Sequence, residues 1–293
     1  METNLLLLDS YNKIDELLAY AFSFSNRLKR KLKIKYVFDF NWMVESYMVG
    51  PGGPVGTGEA VDPALVTAER NAQEEFKVAE KKIRENAGNY TKKHKIDVPY
   101  DVEVSSINRI DAVKEEHENN PEMILLISNQ QSYSEATGGL IGYPNLVEHV
   151  KCPVLVIPDG ATDFTAKHLM YATDYHPEDI EALSQLFTSL NKDESVKFTI
   201  LHNQKDLDFS EQLIWTGFKE TVKEETGINN VDFNLTAKDE ILEAVEEFVE
   251  YNNPDLLVIL KEKKGFFKQI LNSSETKGML THLNKPILVY HEK

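Results

Sequence analysis

Apolar positions along this chain follow two spacings. Short unbroken aliphatic runs such as "NLLLLDS", "MILLIS", "PVLVIP" and "DLLVIL" are separated by longer segments whose apolar residues recur at helical intervals. Continuous runs are expected of strands buried on both faces of a parallel sheet, and the periodic segments of the helices that cover them. In the first half, "NLLLLDS" predicts a strand, residues 12 to 30 a helix and "KIKYVFDF" a second strand. Asp62 and Pro63 read as the N-cap and first turn of a long charged helix reaching about His94. "VPYDVEVS" alternates as a strand, "NRIDAVKEEHEN" follows as a helix, and "MILLIS", a short helix near Asn145 to Val150 and "PVLVIP" close the half.

The second half runs through the same order. "HLMYATD", "VKFTILHN", "NVDFNLT", "DLLVIL" and "PILVYH" are strands. The helices between them are "HPEDIEALSQLFTSLN", "SEQLIWTGFKETVKEETG" ended by Gly227, "KDEILEAVEEFVEYNN" and one through about Leu283. Two blocks recur at one interval: "NNPEMILLIS" from Asn119 against "NNPDLLVILK" from Asn252, and "VEHVKCPVLVI" from Val147 against "LTHLNKPILVY" from Leu280, both 133 residues apart. Equal spacing of two blocks implies duplication followed by divergence. Alternating strands and helices imply an α/β fold with parallel sheets, in two domains, 1–158 and 165–293, joined by a linker within 158–168.

Length agrees, since 293 residues suit two domains of about 100–200 residues each. The 48 acids against 32 bases give a formal net charge of −16, a field that disfavours nucleic acid and anionic membrane as partners. The one cysteine, Cys152, sits in an apolar run and reads as a buried filler. The "LLLL" near the start follows Glu2 rather than a cationic region, and no apolar run approaches the roughly 18 residues of a membrane span. A cytoplasmic location is the expectation. The eight histidines lack metal-site spacing, and His149 and His282 read as cations near helix C-termini. No catalytic elbow or paired-carboxylate pattern stands out.

The glycine-dense stretch "VGPGGPVGTG", residues 49 to 58, fails as a phosphate loop: after Gly58 come Glu59 and Ala60 where Lys and a hydroxyl residue are needed. The second half has only "NQKDLDF" at the corresponding place, so the stretch reads as a surface loop inserted into one copy.

The runs "NNPDLLVIL" and "KPILVY", with "PEMILLIS" and "CPVLVI" in the other half, resemble those of the universal stress proteins, and the chain looks like two such domains in tandem. The resemblance implies open, Rossmann-like parallel sheets. It also singles out Asp9 and Asp174, each ending a first strand, as the acid that helps hold adenosine in ATP-binding relatives; the alternative is that they cap helices. Those relatives carry, after the fourth strand, Gly, two residues, Gly, nine residues, then Gly and Ser or Thr. Counted back from Pro286, these positions hold Leu260, Lys263, Ser273 and Ser274; counted from Pro153 they hold Ile127, Gln130, Leu140 and Ile141. No glycine remains. A non-glycine forced to positive φ costs on the order of 1–2 kcal/mol, so family-type ATP binding is expected to be degraded in both copies.

What the residues and the resemblance imply together is a non-catalytic stress-response protein that binds or scaffolds an unidentified protein partner, without a cofactor. The alternative is an ATP- or AMP-binding member, with slow hydrolysis, using the second domain: Asp174, Lys263, Ser273 and Ser274 there, and Asp9 in the first. Ser274 would equally serve as a helix N-cap. A third reading is a metabolite-sensing module with another ligand in the equivalent cleft. The closing strands "PVLVIP" and "PILVYH" are expected to pair within one chain as an intramolecular pseudo-dimer, with a homodimer as a further option.

Overall fold

The computed structural model describes residues 1–37, 63–129, 143–190, 196–228, 230–261 and 283–292. The glycine-rich stretch 49–58, with Lys263, Ser273 and Ser274, lies outside them. By internal contacts the chain divides into two units, Met1–Val150 and Lys151–Lys293.

Unit 1 runs β1 (Thr3–Leu8), α1 (Ile14–Leu28), β2 (Lys31–Val37), α2 (Pro63–His94), β3 (Tyr100–Ser105), α3 (Arg109–Asn119), β4 (Ile124–Ser128) and α4 (Tyr143–His149). Its strands lie in the order β3-β2-β1-β4, and the neighbours pair parallel throughout. Leu5 to Leu8 are at most 1% exposed, as are Leu125, Leu126 and Ile127, because helices cover both faces of a parallel sheet. Helix α1 packs on β2 and α2, where Phe22 stacks on Tyr90 and meets Tyr100 edge-on.

One face of unit 1 departs from the apolar rule. Lys33 and Lys35, two apart on β2 and so on the same face, meet Glu103 of β3 and Glu116 of α3. Lys35 is fully buried, with Nζ 3.0 Å from Glu103, 3.3 Å from Glu116 and 3.6 Å from Glu115. Burial alone would lower the Lys33 pKa, but its bonds to Glu103 and Glu116 outweigh burial and hold it above the ordinary lysine value. Burial likewise opposes ionisation of Glu103, and the bonds from Lys33 and Lys35 prevail, holding it below the ordinary value.

Unit 2 runs β5 (Val154–Ile157), β6 (His168–Thr173), α5 (Asp179–Leu190), β7 (Lys197–Asn203), α6 (Phe209–Thr226), β8 (Val231–Thr236), α7 (Ile241–Asn252), β9 (Leu256–Lys261) and β10 (Ile287–His291). Its order is β5-β10-β9-β6-β7-β8. From β9 to β8 this repeats unit 1: the fourth strand lies beside the first, followed by the second and third. Strand β10 pairs parallel with β9 and antiparallel with β5, Ile287 facing Val156 and Val289 facing Val154. Strand β5, which follows α4 in the chain, thus belongs to unit 2 and pairs there with β10.

Local features follow the sequence. Gly227 ends α6 at φ 67°, the left-handed conformation in which glycine carries no penalty, and its N–H donates to the Lys223 carbonyl. Cys152 is buried, and His149, in the last turn of α4, has Nδ1 2.8 Å from the Asn145 carbonyl.

Candidate functional site at the carboxyl ends of the strands

The strand order reverses beside β1 in unit 1, between β2 and β4, and beside β6 in unit 2, between β7 and β9. Open parallel sheets take ligands in the crevice beyond the carboxyl ends at such a point. Asp9 and Asp174 follow the last residues of β1 and β6, so the topology puts both acids there. Their surroundings differ sharply.

The Asp9 side chain is fully buried, with Oδ2 3.4 Å from Nη2 of Arg109, itself 9% exposed. Arg109 opens α3, whose start is fixed by Asn108: its side chain accepts the Asp111 N–H at 2.9 Å. Asp9 does not cap α1. The cap position there is Lys13, at φ 57° and without a side-chain cap bond. Asp174 is exposed, five residues before α5 begins.

Strand β2 in unit 1 and strand β7 in unit 2 each bring an aromatic ring to the same register position. Tyr36 faces Leu8, the last residue of β1, and His202 faces Thr173, the last residue of β6. A tyrosine from the loop after the first strand stacks on each. Tyr11 lies 5.4 Å from Tyr36 between ring centroids, at 17°, with Lys82 Nζ of α2 4.2 Å from the Tyr11 centroid. Tyr175 lies 3.8 Å from His202, at 28°. In unit 2 the stack continues to Trp215 and Phe218 of α6, with Phe233 of β8 edge-on to Trp215.

Tyr175 holds φ 67°, a left-handed conformation costing a bulky residue on the order of 1–2 kcal/mol. Its N–H donates to Thr173 Oγ1 at 3.0 Å, and the ring stack supplies further compensation. His202 is 4% exposed, and Nδ1 lies 2.8 Å from the Thr173 carbonyl, which can only accept, so Nδ1 carries the proton. Nε2 faces Glu211 Oε1 of α6 at 3.4 Å. Burial first, and then the Glu211 carboxylate, push the Tyr175 hydroxyl well above the ordinary tyrosine pKa.

Beneath this stack Asp179 is 1% exposed and accepts from Tyr171 Oη at 2.6 Å and from Thr173 Oγ1. Burial pushes its pKa up to about 6, the two hydroxyl bonds opposing and Asp174 adding to the rise. The neutral carboxyl is therefore the form the fold favours: its contribution to stability is full below the ordinary value of 3.8 and is lost as pH rises through about 6. Asp179→Asn removes this titration. The unfolding free energy of the native chain, less that of the variant, is expected to fall by about 2 kcal/mol between pH 4 and pH 7. Urea unfolding at each pH measures it, and a pH-independent difference would contradict the assignment.

The positions matched to the first glycine of the nucleotide loop, Ile127 and Leu260, are strand residues of β4 and β9, 0% and 6% exposed. Neither has positive φ, so the expected backbone strain is absent. Their side chains are taken into the sheet core instead. Among the described residues no group of acids, histidines and cysteines could hold a metal ion, and no helix is long and apolar enough to cross a membrane.

Sequence reasoning missed Arg109, Tyr11, Tyr36, Tyr175, His202 and Trp215. Part of the signal was present as "DSY" and "DYH" after the first strands, each putting a tyrosine within two residues of the acid.

No family model matches the chain, and no curated protein does. Solved structures do. A universal stress protein from Archaeoglobus fulgidus superposes over 99% of this chain and 97% of its own, at 15% identity and a TM-score of 0.60. The cytoplasmic domain of a prokaryotic cation chloride cotransporter covers 99% and 95%, at 11% identity and 0.53. A functionally unknown protein from Pseudomonas aeruginosa covers 99% and 92%, at 11% identity and 0.51. Shared arrangement over almost the entire length, at identities this low, is a statement about backbone, and it identifies the chain's fold as that of the universal stress proteins.

Proposed function

We propose that this chain is a tandem universal stress protein of the cytoplasm that acts by binding or scaffolding a protein partner, without catalysis and without nucleotide. The observation that carries the reading is the aromatic stack across the strand ends of both units. Tyr175 on His202 and Tyr11 on Tyr36 fill space beside the first strands, where relatives that bind ATP hold adenosine. Asp9 is committed to Arg109. On this reading an adenosine is not held in the family manner.

The pairing of β5 with β10 supports the reading that the chain joins its own two closing strands as a pseudo-dimer. An uncovered β10 would be an edge open to strand addition from other chains. A homodimer of the whole chain is the other arrangement compatible with this reading.

A second reading, AMP or ATP binding by unit 2, is favoured by one observation: Asp174, unlike Asp9, is exposed. Calorimetric titration of the whole chain with ATP and with AMP separates the two. The proposal expects no binding tighter than about 1 mM. Micromolar binding lost in Asp174→Ala or Ser274→Ala would replace it with the second reading.

A further inference from the structure

Helix α6 is two-faced in an unusual way. Trp215, Phe218 and Val222 point inward, as an amphipathic helix requires. The outward face should then be polar, but its first two turns are not: Phe209 is 81% exposed and Leu213, four residues on, 63%. Leu207 just before the helix and Ile214 on the flank are 36% and 50% exposed. One turn beyond Leu213, Gly217 is bare, with nothing within 4 Å of where a Cβ would stand. A contiguous apolar stripe of this kind, unlike a scattered exposed leucine, marks an interaction surface.

Charge says what covers it. The stripe is bounded at one end by exposed Asp206 and Asp208, and at the other by exposed Glu220 and Glu224, which continue the line of Phe209 and Leu213 at helical spacing. Nearby cations are directed elsewhere: Lys205 pairs with Asp239, Lys219 lies over Trp215 and Lys223 over Phe233. An apolar centre between two acidic ends is complementary to a segment with an apolar centre between two basic ends.

A second copy does not meet that description. Opposed antiparallel about Leu213, two α6 helices set Asp206 of one beside Glu220 of the other, and opposed parallel they set like acids together, on chains that each carry a formal −16. An anionic membrane meets the same repulsion. We infer that the outward face of α6 docks an amphipathic helical segment of a partner protein, with apolar residues at i and i+4 flanked on both sides by Lys or Arg. This goes beyond the functional reading above and is independent of whether unit 2 holds nucleotide.

The test is selection of a random peptide library displayed on phage against the immobilised whole chain, followed by fluorescence anisotropy on the enriched peptides. Enriched sequences are expected to share the apolar pair and basic flanks. Phe209→Ser with Leu213→Ser should weaken them about tenfold or more, while Tyr251→Ser, an equally exposed aromatic on α7, should not. Both replaced side chains are exposed, so circular dichroism and melting temperature should be unchanged. No enrichment, enrichment of acidic sequences, or equal affinity for the double variant would overturn the inference. So would co-sedimentation with phosphatidylglycerol vesicles, or self-association in ultracentrifugation, that the double variant abolishes; these would assign the stripe to lipid or to a second copy.

Discussion

Replacing Lys35 with methionine is expected to lower the unfolding free energy by about 3 kcal/mol or more, the cost of breaking a buried ion pair by removing one partner. Lys35 has no exposed surface, and its ammonium stands among Glu103, Glu115 and Glu116. Methionine replaces most of the stem, so packing changes little. What changes is that Glu116, 5% exposed, and Glu103 share the single cation of Lys33. Lys33→Met should cost less, since Lys33 is 21% exposed at its side chain and water can replace part of what it does. Adding Glu116→Gln to Lys35→Met should recover part of the loss by removing the surplus charge. Urea unfolding of the single and double variants measures each quantity. A loss near 1 kcal/mol, with no recovery in the double variant, would mean that the network is solvated and Lys35 acts through its stem.

The buried lysine also marks where the sequence pattern stopped being informative. "KLKIKYV" alternates, and alternation reads as one face in a core and one in water. In the fold the lysine face passes from exposed Lys31 through half-buried Lys33 to buried Lys35, which meets Glu115 and Glu116 of α3. Pairing of charges across elements carries no local signature, so the burial of Lys35 could not be read from this stretch. The aliphatic runs were different. "LLLL", "ILLI" and "LLVIL" admit few places other than the centre of a doubly covered sheet, and they occupy it. The two matched blocks were legible for the same reason: they fall on β4 and β9, and on β5 and β10, whose aliphatic residues are buried.

The site was legible in position and not in content. Asp9 and Asp174 could be placed at strand ends by counting, because first strands end where the aliphatic run ends. What surrounds them comes from α2, α3 and α6, up to 100 residues away in the case of Arg109, and no spacing rule links such residues. The glycine count was sound as arithmetic, yet the strain attached to it was not found. Ile127 and Leu260 continue their strands, so a larger side chain there changes what the core holds rather than how the backbone bends.

Arg109→Met should have the largest effect of all, a loss of about 3–5 kcal/mol at neutral pH. The Asp9 carboxylate has no exposed surface, and the Arg109 guanidinium is the cation beside it. Without that cation the buried carboxylate loses its counter-charge. Asp9→Asn added to Arg109→Met should restore most of the loss, because an amide needs no counter-charge. If Arg109 only fills space, urea unfolding should show a cost of about 1 kcal/mol for the single variant and no recovery with the second substitution. Asp9 is thus held by an internal arginine, whereas Asp174 is exposed, five residues before its helix.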